Sequence, residues 1–305
     1  DVKTPQGRYF VKHYCPSLCH PAAIRARHTL IDYACRAGFP AAPIVSTNAG
    51  DTVVVLDGDC FEVQRYIEGT PYDHERSVHF AEAATTLGRY HATVADFAQS
   101  VLRRPRYHYT PSRIDRNLTH YVHKSQLTND IEATGIIGQL KRHVRTLQRR
   151  FARHEALPSL VIHGDYYGHN LIFHEDHVVG VVDFDKARWQ PRVVELAEVL
   201  IYFASSRTKS LQYLVYDGYL RWRPFERFLH IYSQVTRPGE AEMRTLPDYV
   251  RCIWLQMSLR RLAEQEERPP DPIAALREVL ALGDWAEENT ERMTEIGITL
   301  IMQIP

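Results

Sequence analysis

The chain has 305 residues, of which 44% are hydrophobic and 24% are charged, the composition of a globular protein with a substantial core. Its 37 lysines and arginines equal its 37 aspartates and glutamates, so the formal net charge at pH 7 is zero. This balance argues against a protein built mainly to bind nucleic acid or a membrane surface. No apolar run approaches the roughly 18 residues of a membrane helix.

The cysteine content predicts a reduced, cytoplasmic protein. The five cysteines are scattered along the chain, at Cys15, Cys19, Cys35, Cys60 and Cys252. An odd number of scattered cysteines in a long chain is typical of free thiols, and the first residues lack the pattern of a signal peptide. Cys15, Cys19 and His20 have the spacing of half a metal site, but no second pair of ligands lies at a useful distance along the chain.

The first 69 residues have the pattern of a small sheet with one helix. Residues 8–14 alternate aromatic or branched residues with polar ones, as a strand does. Residues 52–56 and 60–66 flank the turn sequence at 57–59 and predict a hairpin. Residues 22–37 predict a helix that ends at Gly38.

From residue 70 onward the pattern becomes mainly helical. Helices are predicted at 82–97 and 136–154, whereas residues 103–117 are rich in Arg, Tyr and Pro and are expected to be irregular. Short strands are predicted at 160–162, 171–174 and 177–182. Residues from Pro191 to the end have helical periodicity, with Asp271 and Pro272 marking a helix start.

The segment from residue 161 to residue 187, VIHGDYYGHNLIFHEDHVVGVVDFDKA, carries the clearest chemistry. Asp165 follows a strand, Asn170 comes five residues later, and Asp183 and Asp185 end the following hairpin. In phosphoryl transfer one carboxylate orients or deprotonates the attacking hydroxyl, while a carboxamide and a second carboxylate hold Mg²⁺ against the nucleotide phosphates. Any one of these residues alone would more often cap a turn, so the ordered combination is what indicates a kinase.

The combination of His163-Gly164-Asp165, Asn170 and Val182-Asp183-Phe184-Asp185 resembles the aminoglycoside phosphotransferase, choline kinase and homoserine kinase-like superfamily. The resemblance covers nearly the whole chain. It implies an α+β, bilobal protein-kinase-like fold with a nucleotide-binding lobe at residues 1–69 and a mainly helical catalytic and acceptor-binding lobe at residues 70–305. It also implies an ATP- and Mg²⁺-dependent transfer of the γ-phosphate to a hydroxyl of a small molecule, such as an aminoglycoside, an amino sugar, an amino alcohol or homoserine.

The resemblance also implies roles for the residues of the motif. Asp165 would be the catalytic base, and Asn170 and Asp183 would be the Mg²⁺ ligands. Asp185 would assist at the metal or the substrate, and His163 would brace the catalytic loop rather than react.

The same resemblance implies a nucleotide site in the first lobe. Lys12 would contact the α- and β-phosphates. The backbone around Gln64, Tyr66 and Ile67 would hydrogen-bond adenine, and Val11 and Ile44 are candidates for the walls of the adenine pocket.

The sequence departs from the family pattern in two ways. Only eleven residues precede Lys12, too few for the strand–turn–strand element that covers the phosphates in related kinases, so this lobe is expected to be shortened at its start. The helix that should supply a carboxylate partner for the lysine carries Arg25, Arg27 and His28, with Asp32 as its only acid. Asp32 and Glu62 are both candidates for that partner.

Three other interpretations compete with a small-molecule kinase. One is a non-catalytic nucleotide- or ligand-binding protein on the same fold, suggested by the two departures. Another is a binuclear metal hydrolase, whose ligands would come from His163, Asp165, His169, His174, Asp183 and Asp185. The third is an RNA- or polyanion-binding module based on the Tyr-rich basic stretch at residues 103–121, part of residues 103–154, which carry twelve basic and three acidic residues. We expect neither nucleic acid nor membrane as a partner.

The acceptor is expected to be cationic. Residues 239–295 contain thirteen acids and seven arginines, a net charge of −6, and an acidic wall would attract an amine. The alternative is a solvated helix face. Four aromatic residues near this stretch are candidates for stacking on a sugar or an ammonium group, or for the core: Trp222, Tyr249, Trp254 and Trp285.

Overall fold

A computed structural model describes residues 1–97, 102, 108–152, 157–205, 219–267 and 269–303. Within the described residues the chain forms two compact units. The first is drawn from Asp1–Arg106, Ser159–Gln190 and Gln234–Thr236, and the second from Tyr107–Pro158, Pro191–Ser233 and Arg237–Pro305. The proposed lobe boundary between residues 69 and 70 rests on the family resemblance and stays a prediction.

The first unit begins with a four-stranded antiparallel sheet. Its strands are β1 (Val2–Thr4), β2 (Gly7–Tyr14), β3 (Val54–Leu56) and β4 (Asp59–Arg65), in the order β1-β2-β4-β3. Strands β3 and β4 form the expected hairpin, with positive φ angles at Asp57 (51°) and Gly58 (90°) that suit a two-residue turn. The pairing of β2 with β4 places Lys12 opposite Glu62. Side chains opposite each other on paired strands share a face of the sheet.

Helix α1 (Pro21–Arg36) lies between β2 and β3 in the chain, as predicted. Pro21 stands in its first turn, where a missing N–H costs no helical hydrogen bond. The helix buries Ile24, Leu30 and Ile31, and it also buries His28, which is only 3% exposed. A polar ring at this depth requires a hydrogen-bond partner, which is the Glu62 carboxylate at 2.8 Å.

The rest of the first unit contains helix α2 (Ser77–Val94) and five short strands in two sheets. The remaining strands are β5 (Thr70–Pro71), β6 (Ser159–Ile162), β7 (Leu171–His174), β8 (His177–Val181) and β9 (Arg188–Pro191). Strands β5, β7 and β8 form one sheet in that order, and β6 pairs with β9. This arrangement places residues 163–170 and residues 182–187, which follow β6 and β8, in the same unit as Lys12.

The second unit consists mainly of helices. They are α3 (Pro111–Lys124), α4 (Ile131–Phe151), α5 (Arg192–Ala204), α6 (Trp222–Val235), α7 (Glu240–Glu264), α8 (Pro272–Glu288) and α9 (Thr290–Met302). Helix α7 packs against α3, α5, α8 and α9, and its Trp254 is fully buried. Asp271 caps α8 as predicted, accepting a hydrogen bond from the Ala274 amide at 2.8 Å.

The expectation of irregular structure at residues 103–117 is wrong for its second half, because α3 begins at Pro111. The Thr110 side chain accepts a hydrogen bond from the Arg113 amide, so Thr110 and Pro111 form an N-cap and first-turn pair. This capping pair is a local helix signal within a stretch whose Arg- and Pro-rich composition suggests a loop. Residues 103–107 lie outside the described part of the chain.

Some basic and acidic residues of the second unit pair across its helices. Arg150 on α4 pairs with Asp248 on α7 at 2.9 Å, and Arg142 on α4 lies 3.4 Å from Asp284 on α8. Glu287 is also paired, with Arg251 at 2.9 Å. These pairs involve three of the thirteen acids in residues 239–295, so the acidic wall and the polyanion module stay predictions.

The prediction that all five cysteines are free thiols is wrong, because Cys19 and Cys60 form a disulfide. Cys19 lies just before α1, and Cys60 lies in β4, fully buried beside Tyr14, Ile24 and Val53. Their separation of 41 residues leaves no trace in the local spacing of cysteines. The cytoplasmic location inferred from the cysteines stays a prediction. Across the described residues, no helix has both the length and the apolarity needed to cross a membrane.

Candidate active site

The loop that follows β6 presents Asp165 through a glycine that tolerates no side chain. Gly164 has a φ of +76°, in the left-handed region. A Cβ placed on it would overlap the Arg188 guanidinium and lie 2.5 Å from the carbonyl oxygen of Lys186. Both the backbone angle and the available space therefore require glycine at this position.

His163 connects this loop to the end of β8. Its Nδ1 accepts a hydrogen bond from the Asp165 amide at 3.2 Å, so the ring proton is on Nε2, which donates to the Val182 carbonyl at 3.0 Å. The ring is fully buried. With both nitrogens engaged in backbone hydrogen bonds, His163 is placed as a brace requires, and it has no nitrogen left to ligate a metal.

The carboxylate of Asp165 is paired with a residue that the sequence motif did not identify. Lys186 Nζ lies 2.6 Å from Asp165 Oδ1. The lysine side chain is 57% exposed and the aspartate side chain 13%, so the lysine is free to move while the carboxylate is held. Burial raises the pKa of Tyr167, and the nearby charge of Asp165 raises it further, which keeps that phenol protonated beside the carboxylate.

Asn170 joins the Asp165 loop to the hairpin that ends at Asp183. Its Nδ2 donates to the Asp165 carbonyl at 2.8 Å, and its own backbone carbonyl accepts from the Val182 amide at 3.0 Å. Because the amide nitrogen is committed to the backbone, Oδ1 is the side-chain atom left to bind a ligand. The sequence spacing of five residues between Asp165 and Asn170 thus closes into a direct contact.

Asp183 and Asp185 share one cation, which is Lys12. Lys12 Nζ lies 2.8 Å from Asp183 Oδ1 and 2.8 Å from Asp185 Oδ2. Burial alone would raise the pKa of Asp183, but the hydrogen bond and charge of Lys12 outweigh it and bring the pKa below its ordinary value. The partner of Lys12 is therefore neither Asp32, which pairs with Arg36, nor Glu62, which pairs with His28.

The backbone at Asp183 adopts an uncommon conformation. Its φ and ψ are both 63°, in the left-handed region that non-glycine residues rarely occupy. Such a conformation costs on the order of 1–3 kcal/mol and persists where the surroundings fix it. Here the Val182 amide, just before Asp183, donates to the Asn170 carbonyl, and the Asp183 carboxylate accepts from Lys12. The backbone that precedes the strained residue and its side chain are therefore both held.

A cavity of about 480 Å³ opens beside these residues, a volume that suits a drug- or nucleotide-sized ligand. It is lined by Phe10, Lys12, Ala42, Gln64, Arg65, Tyr66, Ile67, Gly69, Thr70, Pro71, His169, Asn170, Leu171, Ile172, Val182 and Asp183. The lysine and the three hinge residues predicted to contact the nucleotide are therefore all on its wall.

Two predicted pocket residues are not on that wall, namely Val11 and Ile44. Alternate residues of a strand point to opposite faces, so the face of β2 that carries Lys12 also carries Phe10 and not Val11. Ile44 instead lines a separate hollow beside α1. Phe10 and Ala42 take the places that the sequence analysis gave to Val11 and Ile44.

The backbone of the predicted hinge is partly used within the protein. The Arg65 amide donates to the Pro43 carbonyl at 2.9 Å, and the Tyr66 amide donates to the Arg8 carbonyl at 3.1 Å. The Ile67 amide has no backbone partner in the described part of the chain. The Gln64 side chain is buried and donates a hydrogen bond to Glu62 Oε1 at 2.8 Å, so it supports the cavity wall from the protein interior.

The donor atoms present fit Mg²⁺. Asp183 offers carboxylate oxygens and Asn170 a carboxamide oxygen, both on the cavity wall, and Asp185 lies beside Asp183 on the same lysine. Hard oxygen donors of this kind suit Mg²⁺, which keeps part of its hydration shell. Within the described residues, the predicted hydrolase ligands form no cluster at ligand distances. The group that does so is His143, Asp284 and Glu287, and two arginines already neutralise its acids.

The four aromatic residues proposed for acceptor binding divide into two groups. Trp254 is fully buried, and Tyr249 is 5% exposed and packs on Phe151, so both belong to the core. Trp222 and Trp285 are half-buried and stack on each other with ring centroids 5.5 Å apart. Their faces toward one another are therefore already occupied.

Comparison with known proteins identifies the same chemistry. A sequence model described as "Phosphotransferase enzyme family" matches residues 1–245. No curated protein sequence is similar enough to be matched.

Solved structures with the same fold include three kinases. An aminoglycoside phosphotransferase from Alicyclobacillus acidocaldarius is 18% identical, with a TM-score of 0.59 over 98% of this chain and 88% of that one. The amicoumacin kinase hAmiN, solved in complex with AMP-PNP, Ca²⁺ and Ami, is 15% identical, with a TM-score of 0.63 over 91% and 82%. A microcompartment-associated aminopropanol kinase is 13% identical, with a TM-score of 0.65 over 97% and 89%. These matches confirm the predicted α+β protein-kinase-like fold and the resemblance from which it was inferred.

Proposed function

The chain belongs to the phosphotransferase enzyme family and is a small-molecule phosphotransferase, and we propose that it moves the γ-phosphate of ATP to a hydroxyl of an amine-bearing acceptor, with Mg²⁺ as cofactor. One observation carries the proposal. Asn170 contacts Asp165, Lys12 contacts Asp183, and the Val182 amide, next to Asp183, donates to the Asn170 carbonyl. Lys12, Asn170 and Asp183 also line the same cavity.

Asp165 is the base in this proposal. Its carboxylate would accept the proton of the acceptor hydroxyl while the hydroxyl oxygen attacks the γ-phosphorus and the bond to the β-phosphate oxygen breaks. Lys186 Nζ lies against Oδ1 of Asp165, so the lysine must move away from that oxygen or the proton must go to Oδ2. Because its side chain is largely exposed, Lys186 can follow the negative charge to the transferring phosphoryl group.

Asn170 Oδ1 and the Asp183 carboxylate would hold Mg²⁺, with Asp185 supporting. The ion would supply charge neutralisation for the phosphates. Lys12 would donate to the α- and β-phosphates, and its two carboxylate partners hold its Nζ in place before the nucleotide arrives. Burial alone would lower the pKa of Lys12, but the hydrogen bonds to both aspartates raise it, so the ammonium stays charged.

The Ile67 amide is the donor that the hinge retains for adenine, and Phe10 and Ala42 supply apolar walls. The AMP-PNP bound to hAmiN and the ADP bound to a spectinomycin phosphotransferase support an adenine nucleotide as donor.

The acceptor class is proposed from the neighbours. Their names include kinases of aminopropanol, ethanolamine, spectinomycin and amicoumacin, and aminoglycoside phosphotransferases. An amine on the acceptor is what these share, and an amino alcohol or amino sugar is the class to test first.

The test is an ATP-turnover screen against amino alcohols, aminoglycosides, homoserine and amino sugars, with the wild type, Asp165→Asn and Asp176→Asn. Asp176 is an acid on the β7–β8 turn that pairs with Arg76, so it serves as a matched control. We expect Asp165→Asn to reduce turnover at least about 100-fold, the contribution of a positioned base, while its affinity for ADP stays close to that of wild type. ADP binding without turnover of any acceptor would favour the non-catalytic alternative, and near-normal turnover by Asp165→Asn would refute the base assignment.

A further inference from the structure

A line of hydrogen bonds connects helix α1 to the proposed phosphate and metal residues. His28 Nε2 on α1 lies 2.8 Å from Glu62 Oε2 on β4, and the Tyr14 hydroxyl lies 2.9 Å from the same oxygen. The Tyr14 hydroxyl also lies 2.8 Å from Asp185 Oδ1. The other oxygen of Asp185 holds Lys12 at 2.8 Å.

Glu62 is a fixed point in this line because it is both buried and fully bonded. It is 4% exposed, and its two oxygens take hydrogen bonds from His28, Tyr14 and Gln64. Burial alone would raise the pKa of Glu62, but the hydrogen bonds from His28 and Tyr14 and the nearby charge of Lys12 together outweigh burial and lower the pKa, so Glu62 is ionised. His28 and Gln64 hold this buried carboxylate in place, while its third donor, Tyr14, is shared with Asp185.

Tyr14 is the only side chain in this line that touches both carboxylates. Its ring is 5% exposed and packs with Ile24, Val53 and Cys60. Burial and the charges of Glu62 and Asp185 raise the pKa of Tyr14 far above its ordinary value, so the hydroxyl remains protonated. One phenolic proton can be donated to only one of two acceptors at a time. Glu62 and Asp185 therefore compete for the same hydrogen bond, and the one that accepts it deprives the other.

Helix α1 offers no carboxylate of its own to Lys12. Its single acid, Asp32, pairs with Arg36 on the outer side of the helix at 2.9 Å. A second charged residue of α1, Arg27, lies near Asp185: its Nε is 3.7 Å from Asp185 Oδ1. The connection from this helix to Lys12 through hydrogen bonds therefore runs through His28, Glu62, Tyr14 and Asp185.

We propose that Tyr14 is a positioning residue for phosphoryl transfer. Its hydroxyl fixes Asp185, and Asp185 in turn fixes Lys12. The His28–Glu62 pair links this arrangement to the position of α1. The proposal rests on the proposed function for its catalytic consequence, and on the contacts from His28 to Lys12 for its structural one. Tyr14 itself touches neither nucleotide nor acceptor in this account. It acts by presenting Asp185 Oδ2 to Lys12.

The first test replaces only the hydroxyl, with Tyr14→Phe. The ring keeps its place in the core, and a hydrogen bond to a charged group is lost, which corresponds to about a 10- to 150-fold reduction in kcat/KM. The reduction is expected mainly in kcat, and metal-free affinity for ADP should also fall several-fold because Lys12 loses its orientation. Tyr33→Phe is the matched control, since Tyr33 is on α1, is 37% exposed and packs by its ring against Phe97.

The second test measures coupling along the line in ligand-free protein by urea unfolding. His28→Leu should lower the free energy of unfolding. His28→Gln retains an amide donor toward Glu62 and should restore most of that lost stability. If the line acts as a unit, Tyr14→Phe should destabilise the protein much less in the His28→Leu background than in wild type. Equal effects of Tyr14→Phe in both backgrounds would overturn the coupling.

The failures of the two proposals are distinguishable. If wild type neither binds ADP nor transfers phosphate, the proposed function fails, and the unfolding cycle still decides whether the four side chains are coupled. If wild type is active while Tyr14→Phe matches wild type in kcat, KM and metal-free ADP affinity, the positioning role of Tyr14 is wrong and the proposed function stands.

Discussion

Replacing Gly164 with alanine should disable the loop that presents Asp165. An alanine there must adopt a left-handed backbone, which costs about 1–2 kcal/mol, and its Cβ would lie 2.5 Å from the Lys186 carbonyl oxygen. Relief of such overlap in a packed region costs about another 1–3 kcal/mol. We therefore expect the free energy of unfolding to fall by about 2–5 kcal/mol, and turnover to fall further because the shift acts directly on Asp165.

Two other glycines separate the components of that cost. Gly50 has a φ of +83° and open space where a Cβ would stand, so Gly50→Ala should show only the backbone cost of about 1–2 kcal/mol. Gly138 lies inside α4 with an ordinary backbone angle and open space, so Gly138→Ala should stabilise by about 1 kcal/mol. Urea unfolding of the three variants gives the comparison. If Gly164→Ala costs no more than Gly50→Ala, the steric reasoning at the Asp165 loop is wrong.

Two further predictions concern stability. Burial, with the nearby charge of Arg251, lowers the pKa of His143 despite its hydrogen bond to Asp284, so the folded protein keeps this imidazole neutral. The stability gained by keeping His143 neutral is complete above the unfolded pKa of about 6.5. It is lost as the pH falls below that value, by up to about 1.4 kcal/mol per pH unit. His143→Gln should flatten this slope of unfolding free energy against pH in urea unfolding, and an unchanged slope would contradict the assignment. Reduction of the Cys19–Cys60 disulfide, which closes a loop of 41 residues, should lower the free energy of unfolding by about 4 kcal/mol, and five titratable thiols in unreduced, denatured protein would show that the bond is absent.

The residues of the motif were predictable from the sequence because they lie within one short segment. Asp165 and Asn170 are five residues apart and end in direct contact, and strand–turn chemistry fixes the path between them. The same holds for helix α1 and for the β3–β4 hairpin, where local periodicity and turn residues specify the element. Local information is sufficient where the structure is decided locally.

The partners of those residues were not predictable in the same way. Lys12 and Asp183 are separated by 171 residues, and no spacing rule brings them together. Lys186 follows the motif directly, but only the turn at residues 184–186 aims it at Asp165. Phe10 was predictable as a wall residue in place of Val11, since the alternation of β2 and the position of Lys12 place Phe10 on that face.

The charge pattern of the sequence is hard to interpret for a related reason. The acidic stretch at residues 239–295 suggests a wall for a cationic acceptor, and this stays a prediction, but two of its acids, Asp248 and Glu287, pair with arginines. A net charge along the sequence says nothing about which side chains pair across helices. Acceptor specificity must therefore be sought by experiment among amines rather than in the composition of that stretch.

The central claim is that this chain transfers the γ-phosphate of ATP to a small-molecule hydroxyl with Asp165 as base. The most direct measurement is mass spectrometry of the acceptor pool after incubation with ATP and Mg²⁺, comparing wild type with Asp165→Asn. The account predicts an acceptor that gains one phosphoryl group with wild type and almost none with the variant, at matched ADP affinity. Equal phosphorylation by both proteins, or ADP formation with no phosphorylated acceptor, would contradict it.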